Sequence, residues 1–218
     1  MASSQSDIRR EIYERIGRIA VAISSPSRLK LIQLLAQGPR TVESLSHESG
    51  ESVANTSQHL QRLLREKLVN CKKVGVSRVY KLDNPYLLRL WEDLQDLAHE
   101  VAPELNEAEA KLTDASLRSE RPTEEWLRMV KKKKAVLIDV REIEESGSTP
   151  VRNALRIPLK DLLKRKDELP RNKPIIVLCR GRYCSLASKA VRALRKEGFD
   201  AYRLRESAFR ISKLWEVI

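Results

Sequence analysis

Ile175-Ile-Val-Leu-Cys-Arg-Gly-Arg-Tyr-Cys-Ser185 decides how the second half of the chain is read. Ile175 to Cys179 is a short, β-branched apolar run of the kind a strand buried on both faces requires. A five-residue loop follows, and the residues from Ser185 to Glu197 read as a helix closed by Gly198. In a strand–loop–helix unit the loop amides and the helix N-terminus converge on whatever sits at the strand end, here the Cys179 sulfur. Arg180 and Arg182 add formal charge, so the arrangement predicts a Cys179 thiol that ionises below the ordinary thiol range. A thiolate there can attack the outer sulfur of an anionic donor and become a persulfide; the plainer alternative is an inert cysteine buried at a strand end. Cys184, five residues on, either attacks such a persulfide or serves as a small packing residue. A Cys-x5-Arg loop would suit phosphoryl transfer, but the sixth residue after Cys179 is Ser185, so the phosphate clamp is missing.

Outward from this loop, residues 122–218 alternate helix and strand. Pro122 to Lys132 reads as a helix with proline in its first turn, Ala135 to Val140 as a buried strand, and Asp200 to Leu204 as another. That order predicts an α/β domain with a parallel sheet. Lys131 to Lys134 complement a helix C-terminus, or else touch an anionic partner. The domain resembles a rhodanese: Ile138-Asp-Val-Arg141 matches that family's Asp-x-Arg turn, Ala154 to Pro158 its next strand, and Cys179-Arg-Gly-Arg-Tyr-Cys184 its active loop. The resemblance implies that Cys179 carries the sulfur, with Arg180, Gly181, Arg182, Tyr183 and Cys184 forming the loop, and with Asp139 and Arg141 as supports. Two stretches depart from the family: Ser148 to Ala154 stands where a Gly-His-Ile-Pro-Gly-Ala run is common, and Arg205-Glu-Ser-Ala-Phe209 replaces a double-glycine turn.

The first half is mainly helical in pattern. Ile8, Ile12, Ile16, Ile19 and Ile23 give one apolar face, stopped by Ser24-Ser25-Pro26. Arg28 to Ala36 forms a second helix, Thr41 caps a third that ends at Gly50, and Ser52 caps a fourth from Val53 to Lys67. Asn70 to Val74 and Ser77 to Leu82 are β-biased runs around Val74-Gly75-Val76, a hairpin. This is the order of a winged helix-turn-helix. The fourth helix presents Asn55, Thr56, Gln58, His59, Gln61 and Arg62, groups that bond base edges when a helix enters the major groove. Lys72, Lys73, Arg78 and Lys81 on the hairpin suit phosphates, and Ser52 caps the reading helix. Ser52 to Gln61, Leu68-Val69 and Arg78-Val-Tyr-Lys-Leu-Asp83 together resemble an ArsR-type bacterial repressor over about residues 8–100. The resemblance implies a homodimer whose first and last helices form the interface. Many such repressors hold metal through Cys-x-Cys in the third helix; here that stretch is Val42-Glu-Ser-Leu-Ser-His47, so the signal must enter elsewhere. His47, His59 and His99 have no cysteine at ligand spacing, and neither a metal site nor a cofactor is expected.

From Leu87 the apolar residues Trp91, Leu94, Ala98, Val101, Leu105, Ala108, Leu112 and Ala115 follow in alternating steps of four and three. This is an a/d seam, to pair with a second helix or to face the chain's own core, and Pro103 should kink or divide it. Charge follows the same organisation. Residues 1–90 carry 15 basic and 8 acidic side chains, residues 91–121 carry 3 and 9, and residues 122–218 carry 24 and 13. Two basic blocks with an acidic connector predict a winged-helix domain over 1–100, a helical linker over 101–121 and a rhodanese-like domain over 122–218. A net charge of +12 favours an acidic partner, three cysteines are too few for a secreted disulfide framework, and no apolar run approaches a membrane span. Met1-Ala-Ser-Ser lacks a basic, apolar leader, and a cytoplasmic protein is expected. The whole order resembles ArsR–rhodanese fusion regulators. It implies a dimer on a double-stranded DNA operator that senses or carries reactive sulfur through Cys179, with thiosulfate or polysulfide as the sulfane-sulfur donor. The alternative is a working sulfurtransferase tethered to a DNA-binding domain.

Overall fold

The structure, a computed structural model, describes residues 4–218, so the first three residues of the Met1-Ala-Ser-Ser stretch lie outside the described residues. It contains two compact units, Met1–Leu94 and Gln95–Ile218. Among the described residues no helix is long and apolar enough to cross a membrane.

The first unit opens with α1 (Gln5–Ile23), capped by Ser4, whose hydroxyl accepts from the Asp7 amide. α2 (Pro26–Leu35) carries proline in its first turn, where the missing N–H costs nothing. A short strand β1 (Arg40–Thr41) leads into α3 (Val42–Ser49), which Gly50 ends in the left-handed conformation, and then α4 (Val53–Arg65). β2 (Asn70–Val74) and β3 (Ser77–Lys81) form the antiparallel hairpin, with β1 on the outer side of β3. Leu31, Ile32, Leu35, Leu45, Leu60, Leu63 and Tyr80 bury the inner faces of these elements. Each such leucine or isoleucine contributes roughly 1.5–3 kcal/mol over leaving it in water. The apolar stripe of α1 does not join this core: Ile8, Ile12, Ile16 and Ile19 are between 42% and 56% exposed.

α5 (Pro85–Val101), begun by the Asn84 side chain accepting from the Tyr86 and Leu87 amides, runs across the division between the units. Pro103 does divide the seam, and α6 (Glu104–Thr113) starts afresh. The expectation of one apolar stripe fails in α6: Ala108 and Leu112 are exposed, while Glu109 and Thr113 are buried. Residues 101–121 also fall inside the second compact unit rather than linking two domains. The cause is polar: Glu109 binds Arg205, the Thr113 carbonyl accepts from Ser188, and Asp114 pairs with Arg192.

The second unit continues through α7 (Thr123–Lys131), β4 (Val136–Asp139), α8 (Ile143–Ser148), β5 (Ala154–Arg156), β6 (Ile175–Cys179), α9 (Leu186–Lys196), β7 (Ala201–Ser207) and α10 (Ala208–Val217). The strands form one parallel sheet in the order β5-β4-β6-β7. Alternation along β6 sorts its side chains: Ile175, Val177 and Cys179 pack with Ala187, Val191 and Leu194 of α9, whereas Ile176 and Leu178 pack with Trp126, Leu127, Ile211 and Trp215 of α7 and α10. Helices on both faces bury β6 along its whole length, as its unbroken apolar run requires. Where the double-glycine turn is missing, β7 runs straight to Ser207, whose hydroxyl caps α10 by accepting from the Arg210 amide.

Candidate functional site

Two constellations lie in the two units. In the first, Ser52 caps α4 by accepting from the Asn55 amide, which fixes where the helix begins. The face of α4 turned to solvent carries Ala54, Gln58, Arg62 and Arg65, spaced three and four apart, with Asn55 and His59 half-buried at its edge. Thr56 is corrected as a base-reading candidate, since its side chain is fully buried in the unit's core. Gln61 is corrected too: its amide donates to the Tyr80 hydroxyl at 3.0 Å and so ties α4 to the wing. Arg65 completes the exposed stripe, and helical spacing from Ala54 could have found it. Lys72, Lys73 and Arg78 are exposed on the wing, where Lys73 and Arg78 are cross-strand partners.

In the second unit, Cys179 ends β6 with no exposed surface, beneath the loop 180–185. Gly181 holds the loop's shape. Its φ of +106° suits glycine, and a Cβ there would meet the Ser207 Cβ at 3.2 Å, because the loop is pressed against the end of β7. Cys184 closes the loop, its amide donating to the Gly181 carbonyl at 3.1 Å. The two sulfurs hydrogen-bond each other, and Cys179 Sγ also lies 3.7 Å from the Cys184 carbonyl and 3.9 Å from that of Gly181.

This geometry corrects the expected ionisation. The hydrogen bond from Cys179, then the Leu186 and Arg180 amides, bring the Cys184 thiol down to about 6 against the opposing cost of burial. The same hydrogen bond and burial push the Cys179 thiol well above the ordinary range, although the Gly181 and Ala187 amides pull the other way. Of the two thiols, Cys184 is therefore the one that ionises first. Neither arginine acts on Cys179: Arg180, which also helps to lower Cys184, pairs with Glu145 of α8 at 2.8 Å, and Arg182 pairs with Asp96 of α5. Tyr183 stacks on His99, with its hydroxyl 3.1 Å from His99 Nε2.

Asp139 and Arg141 stand where the sequence places supports. Arg141 binds the Asp139 carboxylate through Nε and Nη2, at 2.7 Å for the shortest contact, and both side chains are buried. Arg141 Nη2 also donates to the Thr149 carbonyl at 2.8 Å, which anchors the chain leaving α8, the helix that presents Glu145 to Arg180. Neither residue bonds a cysteine sulfur.

Comparison with known proteins finds a match for each of the two units. Residues 25–70 match the arsR family of bacterial regulatory proteins, and residues 122–212 match the rhodanese-like domain. The HTH-type transcriptional regulator Rv0324 of Mycobacterium tuberculosis is 31% identical over 210 residues, which is 93% of this chain and 89% of the relative. Rv2034 of the same organism, also an HTH-type transcriptional regulator, is 34% identical over 82 residues, 38% of this chain and 77% of its own. Among solved structures, the homodimeric winged helix-turn-helix DNA-binding domain of Mb0332 from Mycobacterium bovis is 29% identical, covers 45% of this chain and 92% of its own, and superposes with a TM-score of 0.42. With the winged helix in its first unit and the cysteine loop in its second, the chain belongs to the ArsR-type transcriptional regulators, fused here to a rhodanese-like domain.

Proposed function

We propose that this regulator is a cytoplasmic homodimer that grips its operator through α4 and the wing, and that the Cys179–Cys184 pair takes up sulfane sulfur and so changes its hold on DNA. The observation that carries the reading is the closed loop that holds Cys184 over the buried Cys179, with its Arg182 tied to α5. With thiosulfate, Cys179 attacks the outer sulfur while the Cys184 thiolate takes its proton. Sulfite leaves, and a persulfide anion stays on Cys179. The Cys184 thiol then attacks the Cys179 sulfur, its proton leaves with hydrosulfide, and a disulfide remains. Every atom and charge of donor and pair is accounted for, and the second step favours a switch over a sulfur carrier that must reload for turnover.

Dimerisation would cover the exposed stripe of Ile8, Ile12, Ile16 and Ile19 on α1 together with Leu90 on α5. Arg182 binds Asp96 and Tyr183 stacks on His99, so a loop that rearranges around a new S–S bond acts directly on α5. The first turns of that helix carry Leu87 and Trp91 in the core of the DNA-binding unit. A gel shift with the operator, with and without polysulfide, tests the reading on wild type, Cys179→Ser and Cys184→Ser. A response that survives both substitutions removes the pair from sensing. Steady thiosulfate:cyanide turnover would favour the tethered sulfurtransferase instead.

A further inference from the structure

Beside the cysteine loop lies a concentration of positive charge that the sulfur chemistry does not use. Arg118 and Arg205 bind one buried carboxylate, Glu109, and the charges of Arg182 and Arg203, which are joined through the Arg182 carbonyl, act on Arg118. Glu109 is matched by Arg205, which grips both its oxygens, and by Arg118 at 2.5 Å. Asp96 is shared between Arg182 and Arg210. Arg203 is left without a carboxylate. It is 2% exposed, its one hydrogen bond runs from Nη2 to the Arg182 carbonyl at 3.3 Å, and its Nε and Nη1 meet no acceptor among the described residues. Arg182 Nη1 and Arg118 Nε are buried and unmatched in the same way. Burial holds the Arg118 guanidinium below its ordinary range, with repulsion from Arg203, Arg205 and Arg182 working against the pull of Glu109.

A buried guanidinium with two unmatched donors is costly, and the cost disappears when an anion accepts from it. We infer that Arg203, with Arg118 and Arg182, forms a binding site for a small doubly charged oxyanion. Five guanidiniums against two carboxylates leave an excess of positive charge for such an anion, and the unmatched donors of three guanidiniums can each meet one oxygen of a sulfur or phosphorus oxyanion. Arg118 and Arg205 reach the surface, at 25% and 33% exposure. This shared chemistry has two sources: sulfite left by a sulfane-sulfur donor, or free sulfate or phosphate.

The test is thermal unfolding and calorimetric titration of the full chain with sodium sulfite, sulfate and phosphate, each against sodium chloride at equal ionic strength. The Cys179→Ser/Cys184→Ser double variant is run beside wild type, so the anion site stands or falls independently of the sulfur reading. At least one oxyanion is expected to raise the melting temperature in both proteins, and which one does so identifies the source. Arg203→Gln and the more exposed Arg118→Gln should each weaken binding at least tenfold, so the second carries the comparison if the first does not fold. No oxyanion effect beyond chloride, or equal affinity in wild type and Arg118→Gln, overturns the inference.

Discussion

Arg180 Nη2 lies 2.8 Å from Glu145 Oε1, and that ion pair changes how the cysteine loop must be understood. A guanidinium beside a thiol ordinarily favours the thiolate. Here α8 supplies a carboxylate that holds it, and the guanidinium charge reaches Cys184 only as a minor influence. The hydrogen bond from Cys179 to Cys184 is the largest influence on both sulfurs.

The first prediction concerns pH. In a Cys71→Ser background, the rate of alkylation by iodoacetamide should rise through a midpoint of about 6, with the adduct on Cys184. Cys179→Ala removes the hydrogen bond that contributes most, so the midpoint should move up toward the ordinary thiol value of about 8.5. Stability follows with a definite sign. The folded Cys184 ionises below its unfolded value, so its contribution is present above about 8.5 and is lost as pH falls toward about 6. Cys179 is shifted up, so its contribution is present below the unfolded value and is lost as pH rises through the folded one. Urea midpoints should therefore climb from pH 6 to the ordinary thiol range and decline beyond it. A flat profile in that window contradicts the pair.

On the DNA side, residues that share one short stretch should behave differently. Gln58→Ala and Arg62→Ala remove groups on the exposed face of α4 and should cost about 1–3 kcal/mol of operator discrimination each. Lys72→Ala, Lys73→Ala and Arg78→Ala should weaken operator and random duplex alike, each lowering the salt slope by about 1. Thr56→Val should leave binding unchanged and stability equal or higher, because the buried Thr56 hydroxyl has no hydrogen-bond partner among the described residues. Fluorescence anisotropy across a salt series separates the three classes.

The Asp139–Arg141 pair should be structural. Arg141→Met strands a buried carboxylate and should cost about 3–5 kcal/mol in chemical denaturation. Arg141→Lys should recover only part of this, since a single ammonium cannot both fork onto Asp139 and reach the Thr149 carbonyl.

Much of this architecture was legible in the chain. The element order of the winged helix, the β6 strand and the caps at Ser52 and Thr41 follow from period, punctuation and hydrogen-bonding side chains. What stayed illegible has one cause: long-range polar partners leave no periodic trace. The a/d seam picked the wrong face of α6, because the burial of that helix is decided by Glu109, whose partners Arg118 and Arg205 lie 9 and 96 residues away. Arg180 and Arg182 looked free to act on Cys179 because Glu145 and Asp96 stand 35 and 86 residues distant. Thr56 looked like a reading residue because it sits among true surface positions, one helical step from them.

Asp96 offers the last prediction, on how the loop is heard by the rest of the protein. Its carboxylate binds Arg182 of the cysteine loop and Arg210 of α10, from a position on α5. A substitution here leaves the sulfurs and the reading helix untouched. Asp96→Asn should therefore take up the same sulfur adduct by mass and bind operator as wild type does when reduced. It should lose most of the difference in affinity between reduced and polysulfide-treated protein, because an effector shifts an equilibrium only through interactions that differ between its states. Arg182→Lys, which keeps the charge but loses the planar fork, should fall between the two. A full polysulfide response in Asp96→Asn would mean that the message leaves the loop by another route.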